Sequence, residues 1–197
     1  MWLQTGGEGK YSIFKRINTP GLKLEPQEIR HALFQGKATK LLKELAETEL
    51  FRKATGNDVP SSRMQDREMV LRYLALHYLG PNEYKNCSID EYLNKAMAFL
   101  NEQDDNFIEQ CKALYFESLE CVYGIFGRYA FRRISKIREQ DIKPINTALF
   151  EGWVNGVSQL NAQERVLLIQ KKVDVKKLYI EELDKKSSFY SDIGSGK

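Results

Sequence analysis

Arg16 and Asn18 are the two residues of this chain whose types and spacing most clearly suggest chemistry. They stand just before a Thr-Pro-Gly turn at 19–21. An arginine guanidinium binds phosphate oxygens through a planar fork of donors, and a neighbouring asparagine amide can orient the bound group. Gln27 and Arg30 follow on the next predicted helix, within reach of the same turn. One interpretation is therefore a phosphate-binding corner, to which the backbone amides around the turn glycine would add donors.

The same corner also has a purely structural interpretation. Proline and glycine at 19–21 end one helix, and Pro26 starts the next in its first turn, where the missing N–H costs nothing. In this interpretation Arg16 pairs with Glu28, and Asn18 only caps the helix end. From the residues alone, both a ligand site and a simple helix–turn–helix corner stay open.

Composition and charge restrict the classes of protein to which this chain can belong. The chain has 197 residues, of which 42% are hydrophobic and 29% charged, as in an ordinary soluble globular protein with a real core. It has no run of about 18 apolar residues for a membrane span, and its first ten residues lack the apolar region of a signal peptide. Three cysteines without CxxC spacing indicate reduced thiols and a cytoplasmic protein. Two histidines argue against a His-rich metal site, so we expect no metal in this chain.

Basic residues are concentrated between Arg128 and Lys143, where six bases face two acids, although the net charge of the chain is only +3. The candidate contacts to a DNA backbone are four side chains in this run: Arg132, Arg133, Lys136 and Arg138. Such contacts would be independent of base sequence. A solvated helix face explains a charge run of this kind as well, and the charge predicts that the segment stays at the surface.

Helical periodicity covers almost the whole chain, and no alternating strand pattern of any length occurs. We predict an all-α fold, an irregular multi-helix bundle of about eight to ten helices. A short arm at 1–10, a single helical domain at 11–186 and a tail at 187–197 make up the predicted organisation. The predicted helices begin at Pro26 and after Ser88 and Asn161, and cover 38–54, 64–79, 104–126, 144–160 and 175–186.

The corner resembles a motif of a known family. Fourteen positions match the pattern IFxRINTGGxxLxxQEIRxxLF: Ile13, Phe14, Arg16, Ile17, Asn18, Thr19, Gly21, Leu24, Gln27, Glu28, Ile29, Arg30, Leu33 and Phe34. This pattern is similar to that of the N-terminal domains of GmrSD-type modification-dependent restriction enzymes, a ParB/sulfiredoxin-like group. FRKATG from Phe51, RMQDREMVLRYLA from Arg63 and the terminal SDIGSGK also resemble stretches of that family.

The resemblance implies catalytic elements that this chain does not contain. Family members have a small mixed sheet followed by a helical bundle. Their nucleotide hydrolysis or DNA cleavage is associated with a DGQQR-type motif in the sheet and an FxxxN motif, which here is Phe14 to Asn18. No DGQQR motif and no HNH-type nuclease module occur in the 197 residues. Pro20 replaces a usual glycine, and Glu25 stands at a helix start where Ser, Thr or Asn is expected, which should weaken that start by about 1 kcal/mol.

The resemblance therefore implies the helical portion of a GmrSD-like phage-defence protein, without the sheet and inactive alone. The ligand or phosphate-binding candidates are Phe14, Arg16, Asn18, Gly21, Gln27 and Arg30. A DGQQR-bearing partner segment would complete the site, and a nucleotide and a divalent metal would serve the complete system. Self-association is an alternative way to cover the helix faces that a sheet would normally cover. Two other functions stay open, an all-α protein-interaction module and a non-specific DNA-binding module.

Overall fold

Helices account for all the regular structure in the computed structural model, which describes residues 24–134 and 141–184 together with Ile13. Within these residues there are nine α-helices and no strand, which confirms the all-α prediction. They are α1 (Pro26–Leu33), α2 (Lys37–Ala46), α3 (Glu49–Thr55), α4 (Gln65–Lys85), α5 (Ile89–Glu102), α6 (Asp105–Phe126), α7 (Thr147–Ser158), α8 (Ala162–Gln170) and α9 (Lys172–Asp184). None of these helices combines the length and the apolarity that crossing a bilayer requires.

The chain divides into two compact units. Unit 1 comprises Met1–Ala46 with Pro60–Gln110, and unit 2 comprises Glu47–Val59 with Cys111–Lys197. The predicted arm at 1–10 and tail at 187–197 lie outside the described residues. A single domain over 11–186 stays a prediction.

Unit 1 is built around helices α2, α4 and α5. Each helix contributes apolar side chains three or four residues apart, and this spacing places them on one face of the helix. The most deeply buried of these side chains, each 0–1% exposed, are Leu41, Leu42, Leu45, Val70, Leu71, Leu74, Leu93, Met97 and Leu100. Tyr92 also lies in this core, and its hydroxyl donates to the carbonyl of Ala75 at 2.8 Å, which satisfies a buried polar group.

Aromatic side chains hold unit 2 together. The ring of Phe126 packs against Trp153 and Tyr179, with centroids 4.7 and 5.3 Å away. Phe150 joins Phe51 and Phe131 at 6.0 and 4.7 Å, again edge to face. These separations and angles are the favourable ones for aromatic pairs, so the cluster joins α3, α6, α7 and α9 into one core.

The helix predicted over 38–54 is wrong as a single element. It is two helices, because Thr48 is extended and caps a new helix by accepting from the N–H of Phe51 at 3.3 Å. A threonine hydroxyl competes for backbone donors, so it favours a cap over a helix interior. The chain first passes from unit 1 to unit 2 at this break, after Ala46.

Three other boundaries differ from the predicted ones for local reasons. Gly80 has φ 76° and ψ 166°, so the predicted end there is a kink, after which helical residues resume at Pro81. Helix α7 starts three residues after Pro144, because the side chain of Asn146 accepts from the N–H of Leu149 at 3.0 Å. Helix α9 begins at Lys172, earlier than the predicted 175.

The predicted helix starts at Ser88 and Asn161 are confirmed. Ser88 and Asn161 each accept from the N–H three residues later, and the glutamate at that later position accepts from the cap residue's own N–H. A similar bond forms at Glu25, whose N–H donates to the carboxylate of Glu28 at 2.7 Å. A reciprocal pair of this kind satisfies the free donors of a helix start, so α1 has more support than its Glu25 cap suggested.

Candidate functional site

Arg30 lies at the centre of a charged cluster of unit 1, although it is only 1% exposed. Its Nε donates to Gln27 Oε1 at 2.8 Å, which makes the two residues of the QEIR motif partners on one helix face. Its two terminal nitrogens donate to Glu68 Oε2 at 2.7 Å and to Asp90 Oδ1 at 3.0 Å. One buried guanidinium on α1 is therefore tied to α4 and to α5.

Two further arginines extend this cluster toward solvent. Arg72, one turn after Glu68 on α4, donates from Nη2 to Glu68 Oε1 at 2.9 Å. Arg63 lies before α4 and pairs with Glu28 at 3.1 Å and with Glu25 at 3.6 Å. The acids at the start of α1 thus meet an arginine from the chain preceding α4. We call Gln27, Arg30, Glu68, Arg72 and Asp90 the Arg30 network.

Burying the Arg30 network costs free energy. The partners of each guanidinium nitrogen of Arg30 offset that cost. Removing a guanidinium from water is unfavourable by several kcal/mol, and only close partners on each nitrogen offset that cost. Arg30 meets two carboxylates and an amide oxygen, so its charge is compensated inside the unit. The arrangement fixes the position and the rotation of α1 against α4 and α5, since Glu68 and Asp90 must be met at once.

The structure gives the two described ligand candidates an anchoring role. Gln27 is 1% exposed and its Oε1 is occupied by Arg30, while all three guanidinium nitrogens of Arg30 already donate within unit 1. Neither side chain is free at the surface to meet a phosphate. The other candidates, Phe14, Arg16, Asn18 and Gly21, lie outside the described residues, and so does the alternative pair of Arg16 with Glu28.

Arg132 is the corresponding buried arginine of unit 2, at 2% exposure. Its Nη2 donates to the carbonyl of Thr55 at 2.7 Å and to Asp58 Oδ2 at 2.6 Å, and its Nη1 donates to the carbonyl of Lys143. The prediction that charge keeps this whole segment at the surface is wrong for Arg132, because three acceptors replace water around its guanidinium. Its side chain is engaged inside unit 2 rather than presented to DNA.

Backbone geometry explains how a charged residue enters the core of unit 2. Phe131 has φ 59°, a left-handed conformation that is uncommon for residues other than glycine. The N–H of Asn146 then donates to the carbonyl of Phe131 at 2.9 Å, and the hydroxyl of Tyr179 donates to the carbonyl of Arg132 at 2.8 Å. Burial raises the pKa of Tyr179, so its hydroxyl keeps the proton that it donates.

Of the other DNA-contact candidates, the structure describes only Arg133, which is half-buried; Lys136 and Arg138 lie outside the described residues. The charged stretch RMQDRE, at 63–68, also makes contacts inside unit 1. Arg63 reaches across to α1, and Asp66 is buried and accepts from the N–H of Arg67 at 2.8 Å. The acids and bases at 63–68 thus serve folding contacts.

The two histidines are placed as core-edge residues. Burial, and after it the positive charge of Arg67, lower the pKa of His31, so its imidazole is neutral at pH 7 and is a weak phosphate ligand. The ring of His77 packs against Tyr78 and Tyr73, with centroids 4.6 and 5.8 Å away. Across residues 24–134 and 141–184, no three His, Cys, Asp or Glu side chains are grouped to hold a metal ion.

Asn94 is a buried polar residue that the sequence did not single out. It lies one turn after Asp90 on α5, is 2% exposed, and its Oδ1 has no hydrogen-bond partner among the described residues. Apolar residues at helical spacing lie on either side of Asn94, and one polar position does not change that spacing. The sequence pattern therefore does not distinguish such a residue.

We predict that Asn94→Ala changes the free energy of unfolding by less than about 1 kcal/mol, since its Oδ1 loses no bond. Asn101→Ala on the same helix is the matched comparison. Asn101 accepts from the N–H of Ala38 at 2.9 Å and donates to the carbonyl of Phe34 at 3.2 Å, so its loss should cost about 2 kcal/mol. Urea unfolding of both variants measures this difference. Equal costs for the two would contradict it.

Comparison of the chain with protein-family models, curated proteins and solved structures finds no match. The resemblance to the GmrSD-type family therefore depends on the motif residues themselves.

Proposed function

We propose that this chain is the helical portion of a GmrSD-like modification-dependent restriction protein, inactive alone and completed by a DGQQR-bearing segment. The observation that supports the proposal is the anchoring of α1 by motif residues. Gln27 and Arg30 match the family pattern and are the buried centre of the Arg30 network. Residues 14–21, which carry Arg16 and Asn18, immediately precede this anchored helix in the chain.

In this proposal the Arg30 network is a support for the phosphate-binding segment. A binding group is effective only when its backbone is held in place, because catalysis and tight binding depend on preorganised charges. Helix α1 is tied to α4 and α5 by ion pairs at 2.7 and 3.0 Å. The segment at 14–21, which precedes α1 in the chain, is thus joined to a helix whose position is fixed. Arg16 would bind a nucleotide phosphate and Asn18 would orient it.

The partner segment is required by the chemistry of phosphoryl transfer. Such transfer needs several charges around the phosphate, and one arginine with one amide contributes only part of them. In the family that this chain resembles, the DGQQR motif contributes the remainder, and no such motif occurs here. The nucleotide and any divalent metal would be bound by the completed site. A cytoplasmic location is part of the proposal, in keeping with three cysteines that form no disulfide.

Nucleotide titration tests the proposed binding role. We expect calorimetry to show ATP or GTP binding when the chain is mixed with the DGQQR-bearing sheet segment of a complete GmrSD-like protein. Arg16→Ala should weaken that binding by at least tenfold, the equivalent of about 1.4 kcal/mol. Arg52→Ala, at an exposed position on α3, is the matched control and should bind as the wild type does. Equal affinity for the Arg16 and Arg52 variants would reject the role of Arg16.

A protein-interaction module is the second candidate function, and one observation favours it. Four large aliphatic side chains on α8 and α9 are about half or more exposed. The non-specific DNA-binding alternative has less support, because Arg132 is engaged inside unit 2.

A further inference from the structure

Helix α8 lies against one face of α6. Glu117, Cys121 and Gly124 follow one another at helical spacing on α6, so they share that face. The carboxylate of Glu117 pairs with Arg165, and Ile169 packs so closely on Gly124 that a Cβ at that glycine would lie 3.3 Å from Ile169 Cδ1. These two contacts, one turn apart on α8, hold it along α6.

The thiol of Cys121 lies beneath this contact. Its Sγ donates to the backbone carbonyl of Arg165 at 3.6 Å, and the residue is only 2% exposed. Burial raises the pKa of the thiol, while the positive charge of Arg165 opposes that rise. Because the thiolate is the reactive form, Cys121 is both covered by the backbone of α8 and kept as the unreactive thiol.

The contacts that hold α8 in this position are individually weak. All nine residues of α8 are described, and none of them is buried. The side chain of Glu117 is 55% exposed, so water screens its pair with Arg165, and a thiol is a weak hydrogen-bond donor. A helix of this length is also too short to persist in water without tertiary support. Separating α8 from α6 should therefore cost less free energy than unfolding unit 2.

The helices on either side of α8 are anchored more firmly. Val157 near the end of α7 is 2% exposed and Tyr179 on α9 is 6% exposed, and the hydroxyl of Tyr179 donates to the carbonyl of Arg132 at 2.8 Å. Between these anchors the backbone departs from helical geometry at Asn161, with φ −75° and ψ 171°, and at Lys171, with φ −92° and ψ 21°. These two breaks delimit α8 as a segment that can move while α7 and α9 stay in place.

We propose that α8 is a strap that opens from α6 while the rest of unit 2 stays folded, and that its opening exposes the thiol of Cys121. A group attached to Sγ would occupy the position of the Arg165 carbonyl, 3.6 Å away, so α8 cannot close over a modified Cys121. Closure of α8 and modification of Cys121 thus exclude each other, and modification shifts α8 to its open state. The strap does not depend on the proposed nucleotide site.

Labelling kinetics with the aromatic disulfide DTNB test the proposal. A protein thiolate attacks one sulfur of the reagent, which leaves a mixed disulfide on the protein and releases a coloured aromatic thiolate. Cys87→Ser/Cys111→Ser retains only Cys121, and Cys87→Ser/Cys121→Ser retains only Cys111, which is 1% exposed on the same helix. Relative to its rate in the unfolded chain, Cys121 should react about tenfold faster than Cys111 or more, and with a weaker dependence on urea, because it needs only a local opening.

Two substitutions on α8 separate the strap from a general loosening of unit 2. Ile169→Ala removes the contact with Gly124 and should speed the reaction of Cys121 about fivefold or more, without changing that of Cys111. Leu167→Ala is the matched control, because Leu167 is 47% exposed on the same helix, and it should leave both rates unchanged. Circular dichroism checks that each variant is folded. Equal effects of the two substitutions on Cys121 would overturn the proposal.

Hydrogen exchange of the labelled protein tests the mutual exclusion. With the mixed disulfide on Cys121, the amides of α8 should exchange faster than in the unlabelled protein, while those of α9 keep their protection. Unchanged exchange of α8, or faster exchange of α8 and α9 together, would contradict a strap that moves by itself. So would labelling of Cys121 and Cys111 at one rate with one urea dependence, since both thiols would then be exposed by the same unfolding.

Discussion

Replacing Arg30 by alanine should lower the free energy of unfolding by about 3–5 kcal/mol, the cost of breaking a buried ion pair on one side. The guanidinium is 1% exposed and is the shared partner of Glu68 and Asp90. Without it, Glu68 and Asp90 lose the guanidinium that they share, Arg72 alone of the network's cations still pairs with Glu68, and helix α1 loses its ties to α4 and α5. Chemical unfolding followed by circular dichroism measures the loss.

Two further measurements distinguish this role from general sensitivity to substitution. Lys40→Ala, at an exposed position of the same unit, should change the free energy of unfolding by less than about 0.5 kcal/mol. Combining Arg30→Ala with Asp90→Ala should cost less than the sum of the two single variants, by about 1–3 kcal/mol, because the residues contact each other. A loss below about 1 kcal/mol for Arg30→Ala would contradict the anchoring role.

Arg132→Ala should lower the free energy of unfolding by about 2–4 kcal/mol, chiefly because two carbonyl groups lose the charged donor that binds them. Arg132 donates to the carbonyls of Thr55 and Lys143, so it joins the end of α3 to the chain before α7. The side chain of Asp58 is 52% exposed, and water screens its pairing with Arg132, so that ion pair adds little. Arg132→Lys should recover less than half of the loss, because one ammonium cannot reach three acceptors arranged around a planar fork.

The neighbouring Arg128 provides the matched control for Arg132. It is exposed, and its guanidinium lies 4.9 Å from the ring centre of the adjacent Tyr129. Arg128→Ala should therefore cost less than about 0.5 kcal/mol in the same unfolding experiment. If the two alanine variants unfolded alike, Arg132 would be a surface residue in solution, and its role as a DNA contact would regain support.

Helices and their caps could be predicted from sequence because the signals are local. Periodic apolar residues placed α6 to within one residue, and Ser88 and Asn161 marked two helix starts. Thr48 was missed because the apolar period continues across it, and only its extended backbone shows that the helix breaks there. Long periodic stretches predict that a helix exists better than they predict where it ends.

The burial of charged residues could not be predicted in the same way. Arg30 follows the polar start of a helix at 26–28, and Arg132 lies in the basic segment between Arg128 and Lys143; charged side chains in such segments are usually solvated. What buries them are acceptors far away in sequence, such as Asp90 for Arg30 and Thr55 for Arg132. The residue pattern of one segment contains no information about partners that lie far away in the sequence. The fold class follows from local periodicity, whereas the two anchoring arginines depend on tertiary contacts.

Phosphate release from nucleotide, with and without the DGQQR-bearing segment, tests the central proposal most directly. The purified chain alone should release phosphate no faster than buffer does, because it holds one side of the proposed site. Adding the segment should raise the rate above both components measured separately, and Arg16→Ala should return the mixture to the level of the segment alone. Phosphate release by the chain alone that is lost in Arg16→Ala would contradict the account, since it would show a complete active site within these 197 residues.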